Sequence, residues 1–373
     1  MRKVTLGVLL FLASAGSWAG EKWQLTIAHT NDLHGWMMPF DYLKTNARFT
    51  QSEFVDDRYA APNVGGLARR ATLIAAMRKS VSHPFVLIDA GDVFTRGPWH
   101  KKFFGAPEIQ AYNQMGYDMA CIGNNEFKAT DGVDSQNILL GLVRQSRFPW
   151  LAANLTVGDT GVPVEGIHPY IVRRYGNVRV GFLGLTAPRS KDYPQTKGWA
   201  IRDPIETAKR WVPIARKECD VLIAVTHLGV LLDMMLAAQV SGIDAIVGGD
   251  SHTFIAAPMV MTNPNGVKVP IVQDGAYGVC LGRLDLTFEK DVAWRLTRYA
   301  GKLIRVDAMV KEDSTVKSTL AKWMAPSVSS KAALRPHPAR AGRAAPAAIR
   351  GDLARHQGIA ASPRAHRRLA SIR

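Results

Sequence analysis

The stretch "LTIAHTNDLHG", residues 25–35, sets a short apolar run against an abrupt cluster of polar side chains. Leu25-Thr26-Ile27-Ala28 reads as a strand, and Asp32 and His34 stand two positions apart just beyond its end. A carboxylate and an imidazole so placed have two readings: a salt-bridged loop, or two ligands of one metal ion. What the chain supplies at equivalent points decides between them.

Working outward, short apolar runs alternate with helical stretches. The runs at 24–29, 84–89, 119–122, 178–185, 221–226, 245–247, 267–273 and 282–288 are rich in Val, Ile and Leu, as strands buried on both faces should be. Between them lie amphipathic stretches at 66–79, 107–115, 134–145, 204–218 and 233–241; in the first, Leu67, Leu73, Ile74 and Met77 recur at helical spacing. The alternation predicts an α/β fold with helices on the faces of its sheet. "GRLDLTFEKDVAWRLTRYAGKLIRV" reads as a β-meander. Its first turn, around Glu289-Lys290-Asp291, has no glycine, so a loop longer than two residues is expected there.

The chain has 373 residues, enough for one large domain or two ordinary ones, and its 47% apolar share fits a buried core. Residues 1–19 read as a secretory signal peptide: Arg2 and Lys3, an apolar run at 6–12, and Ser17-Trp18-Ala19 before a cleavage point. That run is short for a membrane anchor, and no later segment reaches membrane-spanning length. The mature protein is therefore expected to be exported, periplasmic or secreted. Cys121, Cys219 and Cys280 are odd in number, widely spaced and without a Cys-x-x-Cys pair, which predicts buried thiols rather than a disulfide framework or a metal site.

The net charge of +16 is concentrated in the tail: ten Lys/Arg against one acid after residue 325, and two more basic residues in the signal, leave only about +5 on the body. That does not imply a nucleic-acid partner. Residues 326–373, rich in Ala, Arg and Pro without an apolar period, cannot bury enough surface to fold. They read either as a basic tail for an anionic surface or as GC-rich sequence translated in a shifted frame, the second being favoured.

Open α/β sheets place their sites at the carboxyl ends of the strands. Here those ends carry Asp32 and His34; Asp89 and Asp92 in "DAGD"; Asn124, Asn125 and Glu126 in "GNNE"; His227 in "THLG"; and Asp250 and His252 in "GGDSHT". One strand-end histidine is ordinarily structural. Five strand ends presenting Asp, Asn or His point to metal.

In this order, "HTNDLHG", "GGLAR", "GD", "GNNEF", "THLG", "GGDSHT" and "GRLDL" resemble the exported 5′-nucleotidase family of the calcineurin-like metallophosphoesterases, over about residues 23–310. The resemblance implies a β-sandwich flanked by helices, with a two-metal site at the strand ends. By it, Asp32, His34 and His252 hold a first ion, Asp92 bridges, and Asn124 and His227 hold a second, with Asp250 where the family has a histidine ligand. Two divalent ions, of Mn, Zn, Fe, Co or Mg, would clamp a phosphoryl group and acidify a water between them.

Three departures qualify the resemblance. The family's Gly-Asn-His-Glu-Phe-Asp is Gly123-Asn124-Asn125-Glu126-Phe127-Lys128 here, so its catalytic His/Asp dyad becomes Asn125 and Lys128. Asn125 can still donate to a phosphoryl oxygen, beside Asn124. Lys128 either adds a charge at the site or is a solvated surface residue. Asp250 is a competent ligand favouring harder ions, unless it faces away and the second site is lost. The family's second domain, which selects the nucleoside, has no counterpart in 326–373; residues 311–325 read as a linker or the start of that domain. The expected function is a dimetal phosphoesterase acting on small phosphate esters of nucleotides or related metabolites. The alternatives are a non-catalytic or weakly active metal-binding module and, from the tail alone, a polyanion-binding protein.

Overall fold

The computed structural model describes residues 21–42, 58–59, 61–132 and 134–325. The expected signal at 1–19 and tail at 326–373 lie outside the described residues. The described strands are β1 (Glu21–Thr30), β2 (Phe85–Asp89), β3 (Met119–Cys121), β4 (Trp150–Leu151), β5 (Leu155–Val157), β6 (Ile167–His168), β7 (Tyr170–Tyr175), β8 (Val178–Leu185), β9 (Trp199–Ile201), β10 (Val221–Thr226), β11 (Ala245–Val247), β12 (Met259–Thr262), β13 (Lys268–Val272), β14 (Cys280–Lys290) and β15 (Trp294–Arg305). One sheet runs β15-β14-β1-β2-β3-β4-β6, a second β12-β13-β11-β10-β8-β7, and β5 pairs with β9 alone.

Alternation along the strands explains the layering. Leu25 and Ile27 of β1, Val178, Val180 and Phe182 of β8, and Val221, Ile223 and Val225 of β10 share one fully buried layer between the two sheets. The opposite faces are covered too. Leu183, Leu185, Leu222 and Ala224 pack with the helices Pro204–Arg216 and Val230–Gln239. Ala28, Leu87 and Ala120 pack with Leu67–Lys79 and Ala106–Met115. With both faces dry, these strands carry no polar alternation, and the result is the expected helix-flanked β-sandwich.

Within each sheet the strands nearest the middle run parallel: β1 with β2, β2 with β3, β8 with β10, and β10 with β11. Their carboxyl ends therefore emerge together. Asp203 caps the helix that feeds β10, accepting from Glu206 N at 2.9 Å, with Pro204 in the first turn.

Two expectations change. The meander is a hairpin of β14 and β15, and β14 takes β1 as its other neighbour, with Leu286 opposite Leu25. The strands before it, β12 and β13, belong to the other sheet, and Gly275 and Gly278, at φ 89° and 71°, lie where the chain crosses over. Lys290 pairs with Trp294, so the hairpin loop is indeed longer than two residues. Residues 311–325 form the helix Ser314–Met324, whose Val316 and Leu320 are buried and whose Thr319 accepts from Gln114 Nε2 at 2.7 Å. The packed body thus continues past residue 310. All three cysteines are buried free thiols, and among the described residues no helix is long and apolar enough to cross a membrane.

The sheets approach closely at Gly184 of β8, where a Cβ would overlap the carbonyl carbon and Cβ of Leu151 in β4. Gly184→Ala is expected to destabilise by roughly 1–3 kcal/mol, as overpacking does. Gly141→Ala, at a helical position with open space around it, should stabilise by about 0.5–1 kcal/mol. Urea melts of the two variants check the opposite signs.

Candidate metal centre

Beyond β1 and β2 the two chains stay paired although the strands have ended. Asp32 N donates to Gly91 O at 2.9 Å, His34 N to Asp92 O at 2.9 Å, and Gly35 N to Val93 O at 3.0 Å. This lays Asp32 and His34 directly alongside Asp92. The turns need unusual backbone: Asp32, His34, Asp92, Asp250 and His252 have φ of 50°, 51°, 59°, 85° and 54°. Non-glycine residues in this region cost about 1–3 kcal/mol each and persist only where the surroundings over-determine them. Gly91 has φ 97°, and a Cβ there would lie 2.7 Å from Gly123 N and 2.9 Å from His227 Nδ1, so the loop must be bare for His227 to reach the site.

The seven expected ligand residues meet. His252 Nε2 is 3.0 Å from His34 Nε2 and 3.3 Å from Asp32 Oδ1, which is 3.6 Å from His34 Nε2. His227 Nε2 stands 3.2 Å from Asp92 Oδ2, 3.4 Å from Asp250 Oδ1 and 3.9 Å from Asp32 Oδ1. Asp32, His34, Asp92 and His227 are buried, and two groups have ligand spacing: Asp32, His34, His252, and Asp32, Asp92, His227. Asn124 joins them through Arg189, described below.

Neighbouring groups orient this set. Asn31 Nδ2 donates to Asp32 Oδ2 at 2.7 Å, as does Asp250 N at 2.8 Å. His227 Nδ1 lies 2.7 Å from Ala90 O, which fixes its proton there and turns Nε2 inward. Glu126 is not a ligand: its carboxylate accepts from Asp92 N, Val93 N and Gly123 N at 2.7–2.8 Å, tying the β2 and β3 loops together. Asp89 also turns away, accepting from Thr30 Oγ1 at 2.6 Å and Tyr112 OH at 2.9 Å. His29 is a core imidazole, packed where Gly282 leaves room and driven by burial down to about 3.

The donor set fits a cation. Asp32 Oδ1 and His227 Nε2 are buried and make no hydrogen bond, an arrangement that costs free energy unless something positive sits between them. Burial takes the His34 imidazole down to about 4, the neutral form that ligates. Burial acts against charge on His227 as well, yet the Asp92 and Asp32 carboxylates raise it well above its ordinary value. Burial likewise opposes ionisation of Asp92, but the His227 and His34 imidazoles and the Asn125 amide hold it well below the usual carboxylate range. The site draws positive charge.

The two positions of the substituted dyad have distinct partners. Asn125 donates twice to Asp92, from N to Oδ1 at 2.7 Å and from Nδ2 to Oδ2 at 2.5 Å. Lys128 is half-buried with Nζ 4.3 Å above the Tyr193 ring, so its charge rests on an aromatic face. Arg189, in the turn after β8, was not among the expected residues. It donates from Nη1 to Asp250 Oδ2 at 2.6 Å, and from Nη2 to both Asn124 Oδ1 at 2.6 Å and Asp250 Oδ1. Asp250 therefore faces the site. The signal for Arg189 was its place, another strand end of the same sheet.

Residues 25–254 match the calcineurin-like phosphoesterase family. Bovine 5′-nucleotidase is 29% identical over 87% of this chain and 55% of its own length, and the snake venom 5′-nucleotidase of Gloydius brevicauda 30% over 85% and 54%. The 5′-nucleotidase precursor of Thermus thermophilus superposes with a TM-score of 0.68 at 27% identity, covering 81% of this chain and 58% of that one. The chain spans about half the length of the curated relatives it matches. On the matched residues and the shared fold together, this chain belongs to the calcineurin-like phosphoesterase family.

Proposed function

We propose that this chain is an exported, metal-dependent phosphoesterase that hydrolyses phosphate esters of nucleotides or related small metabolites. The observation that carries the reading is the convergence of Asp32, His34, Asp92, Asn124, His227, Asp250 and His252 from five strand ends, around buried donor atoms that lack a partner. The 5′-nucleotidase relatives support the nucleotide substrate class, and the sequence of residues 1–19 supports export to the periplasm or medium.

Asp32, His34, Asp92 and His252 would hold one divalent ion, and Asp92, Asn124, His227 and Asp250 frame a second cation position. The bound metal would supply Lewis-acid neutralisation of phosphoryl charge and acidification of water. The chain's own part is orientation: Asn31 and the Asp250 N–H aim Asp32, Ala90 O aims His227, and Asn125 aims Asp92. The second amide hydrogen of Asn125 and the positive charge of Arg189 are the groups left to meet a phosphoryl oxygen.

Neither dyad position can pass a proton to a leaving oxygen. Asn125 does not titrate, and Lys128 is held on Tyr193. A general acid is worth typically 10²–10⁴-fold, so leaving groups that need none are favoured. Aryl phosphates and pyrophosphate bonds are expected to turn over at least about 10²-fold faster than adenosine 5′-monophosphate; equal kcat/KM for an aryl phosphate and the nucleotide would refute this. The double variant Asn125→His, Lys128→Asp should narrow that gap by raising the nucleotide rate. Removal of metal with a chelator should abolish all hydrolysis, and Mn²⁺ should restore it, both read in a phosphate-release assay. A chain that takes up Mn²⁺ yet releases no phosphate from any ester favours the non-catalytic module, to which the altered dyad lends weight.

A further inference from the structure

The two cation positions are not equivalent in their hydrogen bonding. At the first, Asp32 Oδ1 accepts no hydrogen bond, and the imidazoles of His34 and His252 converge on it. At the second, His227 Nε2 is likewise without a hydrogen bond, but the oxygens are already engaged by this chain's own donors. Asn125 Nδ2 donates to Asp92 Oδ2. Arg189 Nη2 donates to Asn124 Oδ1 and to Asp250 Oδ1, and Nη1 to Asp250 Oδ2. We propose that the guanidinium of Arg189, pinned by Asp250, takes the place of a second metal ion, so that this phosphoesterase is a one-metal enzyme with an arginine as its second cation.

The chemistry of the pair supports this. A guanidinium stays protonated and has no lone pair to offer, so it cannot share the position as a ligand. A dication beside it would be repelled in a site where Asp92 and His227 are fully buried and screening is weak. Asp250 is the matching half. A carboxylate receives the planar fork of an arginine through two parallel bonds, whereas an imidazole offers a single acceptor. Asp250 thus reads as the partner of Arg189 rather than as a substitute ligand. Charge agrees as well: the Asp32, Asp92 and Asp250 carboxylates are balanced by one dication and one guanidinium, and two dications with the guanidinium would leave the group strongly positive. The Arg189 side chain is half exposed, so it closes the second position from the solvent side, where a phosphoryl group would arrive. This inference rests on the metal-centre reading above and replaces only its second ion.

The test counts ions. The full chain is stripped with a chelator, equilibrated with Mn²⁺, and examined for metal per chain by atomic emission and for spin coupling by electron paramagnetic resonance. The expected result is one Mn²⁺ per chain, with the spectrum of an isolated ion. Arg189→Ala should take up two, with the spectrum of a coupled pair. Two coupled ions in the unaltered protein would overturn the proposal and leave the metal centre standing. No bound ion would remove the metal centre itself, and the proposal with it. A folded Arg189→Ala that still binds a single ion would also overturn it, and if that variant does not fold, the count in the unaltered protein decides alone.

Discussion

Asp92 is the point to which both sheets are tied. Its N–H donates to Glu126 from the β3 loop, its carbonyl accepts from His34 after β1, and its carboxylate takes both Asn125 donors and faces His227 after β10. With φ of 59° it holds a conformation that a free loop would abandon. These contacts come from three other strand ends, one of them in the opposite sheet. A shift of either sheet would therefore break the carboxylate's surroundings before it disturbed much of the core.

The strain is tolerated because of what lies beneath it. Five left-handed residues at about 1–3 kcal/mol each are a large local cost. Full burial of a Val, Leu, Ile or Phe side chain contributes roughly 1.5–3 kcal/mol, and the layer under the site has many, among them Ile27, Ile88, Phe182, Ile223 and Val247. Conformational entropy offsets most of that gain, so the surplus is modest. The rigid sandwich nonetheless lets short loops hold seven side chains in place.

Legibility followed burial. Strands dry on both faces could be read from the sequence, because apolar residues and glycine fill β10 but for its last position and β8 but for Arg179. The β7 strand, half-exposed with Arg173 and Arg174 in its middle, could not, although Gly176-Asn177 marked its turn into β8. The candidate ligand residues were readable because polar side chains directly after such strands are conspicuous. Arg189 followed a strand just as directly, yet a basic residue after a proline looks like an ordinary solvated turn. Its partner Asp250 is remote in sequence, and nothing local announces the pair. The same holds for Gly184 and Leu151, whose approach depends on how two sheets stack.

The departures at the site make physical sense as one set rather than as separate losses. A histidine at position 250 would leave Arg189 with no bidentate acceptor, and a histidine at position 125 would set a titrating group beside Asp92 where a neutral amide now donates. With aspartate and asparagine there, every donor facing the second position is either permanently charged or permanently neutral, apart from His227. On the proposed reading, such a site would neutralise a phosphoryl group by fixed charge and would have little means of moving a proton at the leaving oxygen. Its selectivity would then come from the leaving group's own basicity more than from contacts to the rest of the substrate.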